Sequence, residues 1–402
     1  MTEPRPSPRL LILGGDLRGN IGDRAIRSVL MNQIRRIDPN AEVFAVSRIP
    51  ARDQAEFGLQ VIAPSAAALL CKPRFLRSLT ASIYGGGQLL QDDSSQVKNI
   101  YWAALLHGIR RLSRAPVWGY GLGIGPLQTR TGRFFARRAL RSLNGCIARD
   151  ARSAAWASQG IRPGAPVAVA PDPAIALEAA SRDEAIAYLS QTEKVPFNAD
   201  ELRIGIAIRR FFPGRHGVLP SAWTAGREPE SPRFLRFKQN LAAALNRFGE
   251  NRQIRVLFFP FYKSAWQDDA RHAREVARQL RFPSHVLELN CPAGMVKGLQ
   301  GLCDLFVGVP MHSTIFAMGA GVPTLGLAYA DKISDLFRTL GLSDMLRSVD
   351  EIGEPQGADI LLEALVKLYA RRNQVRQTLA TSWSLLTAQL HVYEEWLRKI
   401  LD

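Results

Sequence analysis

Three groups of residues in this chain have types and spacing suited to chemistry. His312 and Ser313 follow a short apolar run, residues 305–307, and precede a helix-like run, residues 314–320. An imidazole gives and takes a proton near neutral pH, so a histidine at a strand-to-helix turn is a candidate proton handler. Arg209 and Arg210 end a second apolar run, residues 204–208. Guanidinium forks bind carboxylate and phosphate, and alternation along a strand turns one of the two inward. Lys263 and Lys332 are weaker candidates of the same kind. The third group is rich in glycine: GGDLRGNIGD over residues 14–23 and GGGQLLQDDSS over residues 85–95. Glycine lets a ligand or another backbone approach closely, and a helix N-terminus offers partial positive charge. Here Asn20, Asp23, Gly86, Gly87 and Gln88 are candidates for holding a ligand, and Asp92 for taking a hydroxyl proton. Asp23 and Asp92 fit equally well as helix caps.

Some chemistries are excluded. The first glycine loop lacks the Gly-Lys-Ser/Thr of a Walker loop and is not a clean GxGxxG. No HExxH or clustered His/Asp spacing appears, so no metal site and no cofactor are expected. Cys71, Cys146, Cys291 and Cys303 form no CxxC pair, which argues against structural zinc and against a disulfide framework.

The elements that position these groups can be read from periodicity. Apolar runs at 10–13, 43–46, 81–84, 116–120, 146–148 and 167–169 read as strands, most of them ending in glycine or a polar residue. Ile26, Val29, Leu30, Ile34 and Ile37 recur at helical spacing. Ser181 to Glu184 has capping-box spacing. A second alternation has strands at 204–208, 256–259, 285–289, 305–307 and up to Tyr329. Residues 213–233 read as a long loop, a candidate lid. Strands alternating with helices describe an α/β chain with parallel doubly wound sheets, whose ligands sit beyond the strands' carboxyl ends. The expected division is 1–195, 196–345 and a helical 346–402.

The chain has 402 residues, a net charge of +16 and 47% hydrophobic composition. That is enough for two cores. A balance this basic fits an anionic partner: nucleic acid, an anionic membrane surface, or a phosphorylated or carboxylated substrate. A merely solvated surface explains it as well. No zinc-finger, RNA-recognition or helix-turn-helix signature appears, so nucleic acid is not expected. The densest basic stretch is Arg133, Arg137, Arg138 and Arg141. Residues 305–330 carry no Asp, Glu, Lys or Arg, but two prolines, four glycines and a histidine interrupt them. They read as buried parallel strands rather than a membrane span. No apolar leader is evident at the start, so a cytoplasmic protein is expected, with contact at the inner membrane face left open. The oligomeric state is not legible.

Taken in order, several strings resemble the polysaccharide pyruvyl transferase family. They are GNIGD, GGGQLLQD, GLGIGPL at 121–127, ARD at 148–150, PDP at 171–173, the strand ending in Arg209, and MHSTIFAMGAGVPTLGLAYADK at 311–332. The resemblance implies two Rossmann-like domains facing across a cleft, as in GT-B glycosyltransferases. It implies transfer of the pyruvyl unit of phosphoenolpyruvate onto two hydroxyls of a cell-surface glycan or its lipid-linked precursor. His312 would be the acid, Asp92 a base, Arg209, Arg210, Ser313 and Lys332 the donor's binding residues, and the glycine-rich loops the acceptor's side. In the family an arginine is expected two positions before the histidine; here that position is Pro310. The donor's charge then falls to Arg209, Arg210 or Lys332. Two rivals share the scaffold: a glycosyltransferase using a nucleotide sugar, and a non-catalytic glycan-binding member.

Overall fold

The computed structural model describes residues 7–15, 19–47, 49–92, 97–211, 230–264 and 267–401. Of the expected 213–233 loop, residues 213–229 lie outside the described residues, and a helix already starts at Pro232. The chain divides into two compact units, the second running from Leu177 to Thr387 apart from the undescribed 215–224.

The first unit is built on a seven-stranded parallel sheet. Its strands are β1 (Arg9–Leu13), β2 (Glu42–Val46), β3 (Gln60–Ala63), β4 (Ala81–Leu90), β5 (Val117–Ile124), β6 (Gly145–Ala148) and β7 (Val167–Val169), in the order β3-β2-β1-β4-β5-β6-β7. The central strands β1, β4 and β5 are buried along nearly their whole length, as in a parallel sheet covered on both faces. Leu11, Leu13, Tyr84, Val117 and Leu122 are buried in one core cluster. β4 differs from expectation. Its three glycines do not end the strand but lie within it, and the ladder to β5 continues to Leu90.

The second unit holds a six-stranded parallel sheet. After β8 (Leu202–Ala207) and β9 (Ile254–Phe258) comes a two-stranded hairpin, β10 (Lys263–Ser264) and β11 (Gln267–Asp268). Then follow β12 (Ser284–Val286), β13 (Leu305–Gly308), β14 (Thr324–Ala328) and β15 (Leu346–Ser348). The sheet order is β12-β9-β8-β13-β14-β15. The uncharged 305–330 run is thus β13, the helix Met311–Gly319 and β14. Among the described residues no helix is long and apolar enough to cross a membrane.

The units do not follow the expected spans. The helix Arg182–Gln191, with its capping box, packs on the helix Ala293–Gln300 of the second unit. Lys297 Nζ donates to Leu177 O at 2.6 Å, so the second unit already begins at Leu177 rather than after 195. Nor do residues 346–402 form a piece of their own. The helix Gly357–Ala370 packs on Pro232–Gly249 in the second unit. The helix His391–Leu401 joins the first, where Tyr393 is fully buried, lies 4.6 Å from the Tyr120 ring, and donates its hydroxyl to Pro171 O at 2.9 Å.

Candidate active site

The second unit gathers the predicted proton handler and cations along one sheet edge. β8, β13 and β14 are adjacent and parallel, with Ala207 opposite Gly308 and Gly308 opposite Gly326. The chain leaving each of these strands therefore emerges side by side: Arg209 after β8, His312 after β13, and Tyr329 with Lys332 after β14. His312 occupies the first turn of Met311–Gly319 and is partly exposed. The helix can start this close to the strand because residue 308 is glycine. A Cβ there would stand 2.9 Å from Ser313 Oγ. The N-terminal turn adds partial positive charge for an anion.

Arg209 is held from the side. Its Nη2 lies 3.4 Å from Asp269 Oδ2, and its Cζ lies 5.6 Å from the Tyr262 ring centroid. Asp269 comes from the far side of β9, at the first turn of the helix Asp269–Ala277, and is 0% exposed. Burial pushes its carboxyl up to about 6, and Arg209 only partly offsets that. For Arg209, burial alone would lower the pKa, but Asp269 and then Tyr329 outweigh it, so the guanidinium stays charged. Lys332 Nζ stands 5.5 Å from the Tyr329 ring. Arg210 is partly exposed at the same edge. Ser313 is fully buried and spends its hydroxyl on Pro310 O at 2.7 Å, which shapes the turn carrying His312.

In the first unit the glycine-rich residues also converge. Asn20 caps the helix Ile21–Ile37, accepting from Gly22 N at 3.0 Å. Gly86 and Gly87 adopt positive φ (+87° and +120°), and the Gly87 α-carbon faces the Asp23 carboxylate. A Cβ on Gly87 would lie 2.7 Å from Asp23 Oδ1. Arg27 donates to Gly14 O at 3.1 Å and pairs with buried Asp53, which anchors the loop from below. The Gln88 amide donates to Gly125 O, and Lys98 donates to Gln88 O at 3.1 Å. Asn20, Asp23, Gly86 and Gly87 thus gather just beyond the carboxyl end of β1, with Gln88 turned toward β5.

Asp92 stands apart from a base's usual situation. It is 3% exposed, and its oxygens accept from Gln128 N, Thr129 N and Thr129 Oγ1 at 2.7–2.8 Å. These contacts tie the loop that starts the helix Arg130–Leu140. The ARD and PDP strings meet as well: Arg149 Nη1 lies 3.1 Å from Asp172 Oδ2, both buried, and Asp150 caps Ala151–Gly160.

Sequence reasoning missed Asp269 and Tyr262. The string QDDARHAREV signals an acidic helix start, but not which strand end it faces. Among the described residues one group, Glu230, His272 and Glu275, has metal-like spacing, its ligand atoms within 4.8 Å of each other. Lys238 Nζ already supplies the cation, 2.5 Å from Glu230 and bonded to Glu275.

A family described as polysaccharide pyruvyl transferase matches residues 20–331. No curated protein matches the chain. Solved structures share its fold end to end. HepE from Anabaena, in complex with UDP-glucose, superposes with a TM-score of 0.61 at 13% identity, over 98% of this chain and 99% of that one. A UDP-GlcNAc 2-epimerase from Neisseria meningitidis, bound to UDP-GlcNAc, gives 0.58 at 11%, over 95% and 99%. A glycosyltransferase from Rickettsia africae gives 0.58 at 11%, over 99% and 100%. At these identities the likeness concerns the fold, an α/β architecture of GT-B type with two parallel sheets.

Proposed function

The chain belongs to the polysaccharide pyruvyl transferase family, a family of transferases, and from that premise we propose that it moves the pyruvyl group of phosphoenolpyruvate onto two hydroxyls of a cell-surface glycan or its lipid-linked precursor. The observation that carries the reading is the row of Arg209, His312 and Lys332 on adjacent strand ends of one sheet. In this reading Arg209 grips the donor's carboxylate or phosphate, with Lys332 and Arg210 adding charge. Pro310 supplies none, so Arg209, braced by Asp269, takes over that duty. Ser313 acts through the shape of the turn rather than by contact.

The chemistry balances as follows. His312 gives a proton to carbon 3 of the enol phosphate, and carbon 2 becomes electrophilic. One sugar hydroxyl adds to carbon 2 and the carbon–oxygen bond to phosphate breaks. The second hydroxyl adds and the ketal closes. Of the two hydroxyl protons released, one returns to the imidazole and one leaves with phosphate. The glycine-rich edge bearing Asn20, Asp23, Gly86, Gly87 and Gln88 is assigned to the acceptor. Asp92 is assigned to the framework, because it is 3% exposed and its oxygens are already taken up by Gln128 N, Thr129 N and Thr129 Oγ1.

Titration of the purified protein separates this reading from its rival. Phosphoenolpyruvate at a hundred times its dissociation constant should stabilise the fold by about 2.7 kcal/mol. His312→Ala should keep that stabilisation and lose turnover. A second reading, a nucleotide-sugar transferase, takes its support from the UDP-glucose and UDP-GlcNAc bound in the fold relatives. Stabilisation by a UDP-sugar and none by phosphoenolpyruvate would reverse the assignment.

A further inference from the structure

One stretch of the first unit is charged in a way the transfer chemistry does not use. Between residues 94 and 149 the chain has ten lysines and arginines and no aspartate or glutamate. Most of these cations fall on two helices, Val97–Ser113 and Arg130–Leu140, and just beyond their ends. The helices link β4 to β5 and β5 to β6, consecutive neighbours in the sheet. Right-handed crossovers place both on the same side, and they pack on one another. Their outer faces therefore form one continuous surface.

Apolar side chains interrupt this basic surface. Phe134 is 53% exposed in the middle of Arg130, Arg133, Arg137, Arg138 and Arg141, and Arg138 Cζ lies 5.4 Å from its ring. On the neighbouring helix Tyr101 is 40% and Val97 38% exposed. A face meant only for water does not gain by presenting phenylalanine. A face that settles on lipid does: guanidinium groups meet the headgroups while the ring enters the acyl boundary. Single-strand nucleic-acid binders also combine cations with aromatics, but they do so in a groove that tracks the backbone. Here the aromatics stand on the outward side of helices.

We infer that the outer face of the Val97–Ser113 and Arg130–Leu140 helices docks on an anionic lipid surface. This holds whatever the donor is. It would bring the first unit to the place where a lipid-linked acceptor resides.

Co-sedimentation of the full chain with vesicles tests it. The protein should pellet with phosphatidylcholine mixed with phosphatidylglycerol and stay in solution with phosphatidylcholine alone. Arg137→Gln with Arg138→Gln should weaken binding by about fivefold for each arginine. Phe134→Ser should weaken it by about tenfold or more. Both changes are on exposed positions, so thermal unfolding should match the parent, and Arg137→Lys with Arg138→Lys should keep binding. Transfer to a soluble acceptor should be unchanged in every variant, which separates this surface from the reaction. Equal binding to both vesicle types, or no loss in the glutamine or serine variants, would overturn the inference. So would duplex or single-stranded DNA that strips the protein from the vesicles, since the face would then belong to nucleic acid.

Discussion

Replacing Arg209 by methionine tests both the stability and the chemistry assigned to the second unit. The side chain is 18% exposed and its partner Asp269 is 0% exposed. Removing one member of such a pair typically costs about 3–5 kcal/mol, because the other charge stays buried and uncompensated. Here the cost has a ceiling. The Asp269 carboxyl already sits at about 6 with Arg209 present. Without the guanidinium it binds a proton at neutral pH instead of staying charged. The loss should therefore fall near the lower end, about 3 kcal/mol at pH 7. For a unit of this size that lowers Tm by roughly 6–12 °C. At pH 5 Asp269 is mostly protonated in both proteins, so the difference should shrink to about 1 kcal/mol, the value of an ordinary hydrogen bond. Arg209→Met combined with Asp269→Asn should recover most of the neutral-pH stability, yet still fail to bind phosphoenolpyruvate. Calorimetric unfolding at the two pH values, paired with donor titration, reads all of this. If Arg209→Met costs the same at pH 5 as at pH 7, the buried ion pair does not govern stability here. If it binds the donor with parental affinity, the guanidinium is not the clamp.

Three further expectations follow from the same geometry. Asp269 also sets a pH slope in the parent. Its folded value is above the ordinary carboxyl value, so the native state binds the proton more tightly, and its contribution is present at low pH and lost as pH rises from about 4 through about 6. Asp269→Asn should flatten unfolding free energy over that window, and an unchanged slope would rule the group out. Asp92→Ala deletes the acceptor for two backbone amides and one hydroxyl, and should cost about 3 kcal/mol in the first unit's unfolding. A stable protein with turnover abolished would restore Asp92 as a base. Gly87→Ala forces a side chain into positive φ and against Asp23, at a cost of about 1–3 kcal/mol. Steady-state kinetics should show the acceptor's KM rising more than the donor's, and the opposite pattern would assign this edge to the donor.

Local pattern was enough for much of this molecule. Apolar runs of three to five residues between helical spacings announced both parallel sheets, because a strand covered on two faces has no polar side to show. The Ser181 capping box was legible because its partners lie three residues apart. His312 and Arg209 were legible as site candidates because a polar residue just past a buried strand points to a sheet's working edge. Their company was not. Asp269 is 60 residues from Arg209 in sequence, and they meet only because β9 lies beside β8. Asp92 reads as base or cap until folding brings Gln128 and Thr129 onto its oxygens. Gly85, Gly86 and Gly87 read as a loop because glycine breaks isolated strands, whereas the ladder to β5 runs on through Gly85 and Gly87 even though Gly86 and Gly87 have positive φ. The last helix returns to the first unit because Tyr393 and Trp396 find Tyr120 and Trp118 there. Composition and periodicity are properties of neighbours along the chain; partners across a sheet are chosen by strand order and register, which exist only once the chain has folded.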